Sequence, residues 1–186
     1  MRPVRREELL DLTAYEKARP EIRARILEVK AQRRVHLGEA LTFLFENAET
    51  VRYQVQEMLR AERIVKEEEI RHELETYNEL LGGEGQLGCV LLIEIDDPRE
   101  RDRKLREWLA LPRHLYLKTA GGRKVRPTHD PRQVGEDRLS SVQYLKFDLG
   151  GEGPVAVGSD LPALTLEAPL TAQQRAALAA DMAAGG

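Results

Sequence analysis

The sequence predicts an α+β fold: a single compact domain with an antiparallel-rich sheet, a helix pair packed on it and an N-terminal helical segment. Three observations lead there. The order of elements is helices, strand, helix pair, strand, helix, then strands, rather than an alternation of strand and helix. The apolar content of 41% supports a real core, while 33% charged residues imply a heavily charged surface. Aromatic residues are only 5%, so aliphatic packing dominates the interior. A length of 186 residues suits one domain with decorated ends, divided as a helical segment over 1–32 and a core over 33–186.

Residues 4–18 are helical in character and highly charged. Pro20 then opens a second helix, because proline suits a first helical turn, and Ile22, Ile26, Leu27 and Val29 fall near one face of it. Gly38 marks a turn. Leu41, Phe43 and Phe45 alternate with Thr42 and Leu44, which predicts a strand buried on at least one face. Asn47 follows as a helix cap, its side-chain oxygen placed to accept an orphan N–H. Val51, Val55, Met58 and Leu59 supply the apolar stripe of that helix, with Arg52, Gln56, Arg60 and Arg63 opposite. A partner helix over about 66–81 carries Ile70, Leu74, Tyr77 and Leu81 at helical spacing, and GGEG ends it.

Residues 87–95 form the strongest strand. Pro98 precedes a charged helix over about 99–110 with Leu105, Trp108 and Leu109 as its apolar contacts. HLYLKT is a strand and AGG a turn. The segment RKVRPTHDPRQVGEDRLSS is expected as a long polar loop. VQYLKFDL alternates as a strand, PVAVGSDLPALTLEAPL suggests two strands about a turn, and TAQQRAALAADM is a terminal helix with Thr171 and Gln174 spaced as a capping box.

Charge and cysteine content narrow the function classes. The net charge of −3 argues against non-specific nucleic-acid binding as the main role. The lone Cys89 lies inside LGCVLLIEI, where a buried, inert thiol is expected. No run approaches the ~20 apolar residues of a membrane span, and MRPVRREELL lacks a signal-peptide core, so a soluble cytoplasmic protein is expected. No Walker loop, dinucleotide fingerprint or zinc-knuckle spacing is present.

Four constellations are chemically suggestive. Glu69 and His72 have Glu-x-x-His spacing, which on a helix presents a carboxylate and an imidazole to one metal, Fe or Zn. A complete site needs further ligands, such as Glu46 or Glu57; His36 with Glu39 forms a reversed pair, but Gly38 between them opposes a helix. The competing reading of KEEEIRHELE is a solvated acidic face. His129 beside Asp130 allows an oriented imidazole, although no nucleophile accompanies it beyond Ser140 and Ser141, and a surface turn explains it as well. Arg33 and Arg34 precede the strand, and Arg52, Arg60 and Arg63 follow on the helix, a cluster suited to carboxylates or phosphate. Its competing reading is internal pairing with Glu46, Glu49, Glu57 and Glu62. Arg33 and Arg34 together with GGRKVR (121–126) form a fourth, weaker set suited to nucleic acid.

The stretch RRVHLGEALTFLFENAETVRYQVQEMLRAERI (33–64), with ELETYNELL, LLIEI, VQYLKF and RAALAADM, resembles a bacterial family of unknown function. The resemblance spans nearly the whole chain. It implies genes lying beside those for rubrerythrin-like di-iron proteins and iron–sulfur reductase-like proteins, and hence a role around iron handling or peroxide defence. The family-like polar positions are Arg34, Glu46, Asn47, Gln54, Gln56, Glu57, Arg60, Glu62 and Arg63; His36 and His72 lie outside them. The expectation is therefore a non-catalytic accessory protein that docks a rubrerythrin-like or iron–sulfur partner. The docking groups are Arg34, Glu46, Asn47, Arg52, Gln56, Glu57, Arg60 and Arg63, and a metal site at Glu69 and His72 is the alternative.

Overall fold

The computed structural model describes residues 1–184. Among these no helix is long and apolar enough to cross a membrane. The chain forms two antiparallel sheets rather than one. The first takes the order β1 (Arg34–Leu37), β2 (Leu41–Glu46), β3 (Gln86–Ile93), β7 (Val142–Asp148) and β6 (Pro127–His129). The second takes the order β5 (Lys124–Val125), β4 (Leu115–Thr119), β8 (Pro154–Leu161) and β9 (Leu164–Pro169).

The main core lies between the sheets. Side chains of a strand alternate between its faces. Val35, Leu37, Leu41, Phe43, Phe45, Leu87, Leu91, Leu145 and Phe147 therefore meet Leu115, Leu117, Val157 and Leu161 across the gap. Helices α4 (Pro98–Glu107), α5 (Leu111–His114) and α6 (Ala172–Ala183) close it with Leu105, Trp108, Leu111, Leu178 and Met182. Cys89 belongs to this core, and burial raises its thiol well above the ordinary range, so the expectation of an inert thiol holds.

A second, smaller core holds the helix pair. Val51, Val55 and Leu59 of α2 (Ala48–Glu62) pack on Ile70 and Leu74 of α3 (Glu67–Asn78), with Val4 and Leu9 of the N-terminal segment plugged between. Two side-chain amides bracket that segment. Asn78 accepts from the Val4 N–H at 2.8 Å and donates to the Val4 carbonyl at 2.9 Å. Gln56 does the same for Leu10, at 2.6 and 3.2 Å. Each amide thus satisfies both backbone groups of one residue that has no strand partner there.

Three local expectations need correction. The N-terminal region is one helix, α1 (Leu12–Ala31), with Pro20 inside it, not two helices parted at Pro20. Asp11 caps its start, and Tyr15 and Ile26, buried on either side of the proline, hold the helix together against the missing N–H. Residues preceding Leu12 form only a short 3-10 turn at Arg6–Glu8. The polar segment 123–141 is not a plain loop. It contains β5, β6 and a 3-10 turn at Pro131–Gln133. Gln143, facing inward, donates its Nε2 to the carbonyls of Ser140 and Gln133 at 2.9 and 3.2 Å, while Leu139 enters the core.

The capping expectations hold. Asn47 accepts from the Thr50 N–H, and Thr171 and Gln174 exchange their bonds at the start of α6. One glycine is fixed by contact rather than conformation. A Cβ on Gly88 would stand 1.7 Å from the carbonyl oxygen of Leu80, so the chain leaving α3 rests directly on β3 at that point.

Candidate functional site

The outer face of the five-stranded sheet is the surface to build from. By alternation it carries Arg34, His36, Thr42, Leu44, Gly88, Val90, Leu92, Val142, Tyr144 and Lys146. Register places them in three rows. Arg34, Leu44, Val90 and Tyr144 lie in one; His36, Thr42, Leu92 and Val142 in the next; Glu46, Gly88, Lys146 and Thr128 in the third. Leu44, Val90, Leu92 and Val142 are half-buried, and Tyr144 is 46% exposed. An antiparallel sheet with one solvated face ordinarily shows polar residues there. This one shows a contiguous aliphatic patch.

The charges around the patch are unequal in their commitments. Thr42 donates to Glu94 at 2.5 Å. A hydroxyl has one proton, so His36, 2.9 Å from the same oxygen through Nδ1, must be the donor there. Glu46 accepts from the Thr50 hydroxyl. Burial raises the Glu46 carboxyl above its ordinary value, opposed by the Thr50 hydrogen bond and by the charges of Lys30 and Arg33. The carboxylates at the rim are thus held. Arg34 and Lys146, exposed at opposite sides, make no ion pair among the described residues. Only the main chain of Arg34 is engaged, its carbonyl accepting from Gln174.

Of the docking residues expected from sequence, Arg34 and Glu46 share this face. Asn47 does not: beyond its capping role it donates to Asp181. The helical set is turned toward α1 and the N-terminal segment. Glu57 accepts from Arg19 through both oxygens, at 2.7 and 2.8 Å, and from the Tyr15 hydroxyl. Arg60 donates to Glu16, Arg52 lies 3.7 Å from Glu8, and Gln56 brackets Leu10. Among the described residues these charged groups of α2 pair with α1 and the N-terminal segment rather than along α2 itself. Arg63 is exposed and ends α2 in the left-handed conformation, φ 53°.

The hydrogen bond from Arg19 dominates at Glu57 and holds its carboxyl down to about 2, with the Tyr15 hydrogen bond adding to it and burial opposing. A depressed carboxyl stabilises the fold above its unfolded value and loses that contribution as pH falls through the folded one. Melting temperature is therefore expected to drop between about pH 4.5 and pH 2, and Glu57→Gln should flatten the drop. Thermal melts across that range, followed by circular dichroism, check it; parallel curves for the two proteins would remove Glu57 as the cause.

Glu69 and His72 lie on the exposed face of α3, where Glu69 pairs with Lys66. The surface around them is lined by Glu68, Arg71, Glu73 and Glu75, and neither Glu46 nor Glu57 reaches it. Among the described residues no group of three or more His, Cys, Asp or Glu side chains is placed to hold a metal. The basic set proposed for nucleic acid is also dispersed. Arg33 is buried against Asp181, Arg123 pairs with Glu152, and Arg126 with Asp160. Asp130 is engaged by Arg132 rather than hydrogen-bonded to the His129 ring, accepting from the Arg132 guanidinium and N–H.

Sequence reasoning missed the aliphatic patch, though its signal was present. LTFLF and CVLLI are nearly continuous apolar runs, the pattern of strands apolar on both faces.

Comparison with known proteins agrees with the fold and adds no activity. A crystal structure of a novel protein of unknown function from Burkholderia pseudomallei K96243 superposes with a TM-score of 0.88 at 29% identity, over 97% of this chain and 100% of that one. A comparison with curated proteins yields no match. The family described as "Protein of unknown function (DUF3501)" matches residues 3–182, nearly the whole of both cores, and the chain belongs to that family.

Proposed function

We propose that the protein is a non-catalytic accessory protein that docks another protein on the outer face of its five-stranded sheet. The observation that carries this reading is the patch of Leu44, Val90, Leu92, Val142 and Tyr144, half-open to solvent on a face that is ordinarily polar. Its occupant is a protein surface with an aliphatic centre and carboxylates at its edge. Arg34 and Lys146 flank the patch without carboxylates of their own, while Glu46 and Glu94 are engaged by Thr50 and Thr42. Such charge complementarity governs partner choice and association rate more than affinity. The resemblance supplies the partner class, a rubrerythrin-like or iron–sulfur protein, and with it a role in iron handling or peroxide defence.

The test is calorimetric titration with a purified rubrerythrin-like protein and a purified iron–sulfur reductase-like protein of the same organism. One of them should bind with 1:1 stoichiometry. Leu92→Asp should weaken binding about 100-fold and Arg34→Glu about 10-fold, the second more at low salt, with melting curves unchanged. If neither protein binds, or if both variants bind as tightly as the parent, the reading is wrong. Self-association through the face, seen by sedimentation and lost in Leu92→Asp, would replace it.

A further inference from the structure

Beside the patch the sheet drops into a cleft of about 470 Å³. Its origin is the seat of the chain after α3 on Gly88. Leu80 touches the sheet at that strand, and beyond it Tyr77 and Leu80 overhang the neighbouring strands β7 and β6. Lys146, paired in register with Gly88, therefore stands at the foot of an overhang and not against another side chain from β3. Tyr77, Tyr144, His129 and Arg132 line it together with Lys146.

We propose that this cleft binds a small organic anion, a carboxylate or a phosphate ester carried on a planar ring. The volume falls within the range of ligand sites, about 300–1,000 Å³. The charges select the sign. Asp130 is consumed by Arg132, which meets it through both Nε and Nη2 and through its N–H. The second acidic wall residue, Glu79, faces Arg132 too. Lys146 has no carboxylate within 4 Å among the described residues, and neither has His129. A cationic ligand meets Lys146 unfavourably, and a neutral one leaves it unused. An anion with a flat body pairs with Lys146 and lays its ring against the tyrosines that line the cleft, where aromatic faces stack at low entropic cost. The cleft shares Tyr144 and Lys146 with the docking face, so ligand and partner are thermodynamically linked.

The test uses the protein alone, so its outcome is separate from that of the docking reading. Phenyl phosphate and benzoate are titrated calorimetrically, with phenol and inorganic phosphate as probes lacking the charge or the ring. At least one ring-bearing anion should saturate a single site with Kd on the order of 0.1–1 mM. Phenol and phosphate should each bind at least about 10-fold more weakly. The head group of the tighter probe tells phosphate from carboxylate. Lys146→Met and Tyr144→Leu, both on exposed side chains, should each weaken binding by about 10-fold without changing the melt. No saturable binding by about 10 mM, or an affinity untouched by Lys146→Met, overturns the proposal.

Discussion

Asp181→Ala is expected to destabilise the fold by about 3–5 kcal/mol, lowering the melting temperature by roughly 6–20 °C. Arg33, a residue only 8% exposed, donates Nε and Nη2 to Asp181 at 2.7 and 2.9 Å. Its Nη1 donates to the Val29 carbonyl, and Asn47 adds a weaker bond to Asp181 at 3.3 Å. Removing the carboxylate strands a buried cation, and the large penalty arises from that stranded charge, not from the pair's own strength. The same reasoning predicts the opposite for a paired replacement. Arg33→Met with Asp181→Leu removes both charges and should recover most of the loss. Urea denaturation of the parent, both single variants and the double variant measures the coupling. A single-variant loss below about 1 kcal/mol would mean that water reaches the pair.

Gly88→Ala is the second large effect, at about 3 kcal/mol or more. In a strand, alanine ordinarily gains a few tenths to 1 kcal/mol over glycine by restricting the unfolded chain. Here the added Cβ would lie 1.7 Å from the Leu80 carbonyl oxygen and 2.9 Å from its carbon, both backbone atoms that no rotamer change can move. Either β3 shifts from β2 and β7 or the chain after α3 lifts off the sheet. The second response opens the floor of the cleft, so the variant should also lose its affinity for phenyl phosphate. Denaturation midpoints report the stability; a neutral or stabilising result would show that the α3 end rides free of the sheet.

Much of the architecture is legible along the chain because it depends on neighbours in sequence. Asn47, Thr171 and Gln174 announce helix starts through caps that act within three residues. The strands β3 and β7 show in their apolar runs, and the buried state of Cys89 follows from its run. What escapes is what distant residues decide. Two sheets instead of one follows from β4 pairing with β8, about forty residues on. The 123–141 segment is ordered by an inward-facing glutamine and by Leu139, neither of which looks unusual in sequence. The arginines of α2 are the clearest case. Helical spacing puts their neighbours at three and four residues, yet Arg60 reaches Glu16 and Glu57 reaches Arg19, across to a helix whose packing the spacing does not contain. Of the positions singled out in the sequence, Arg34 and Glu46 share the outer face because they sit on strands whose faces alternate by rule.

The bond between Arg33 and Asp181 joins positions 148 residues apart, and α6 also lays Leu178 and Met182 into the gap between the sheets. On the ribosome this means that LTFLF and CVLLI emerge long before the helix that seals them. Until α6 is made these strongly β-prone strands stay unsealed, so closure of the main core waits on that helix.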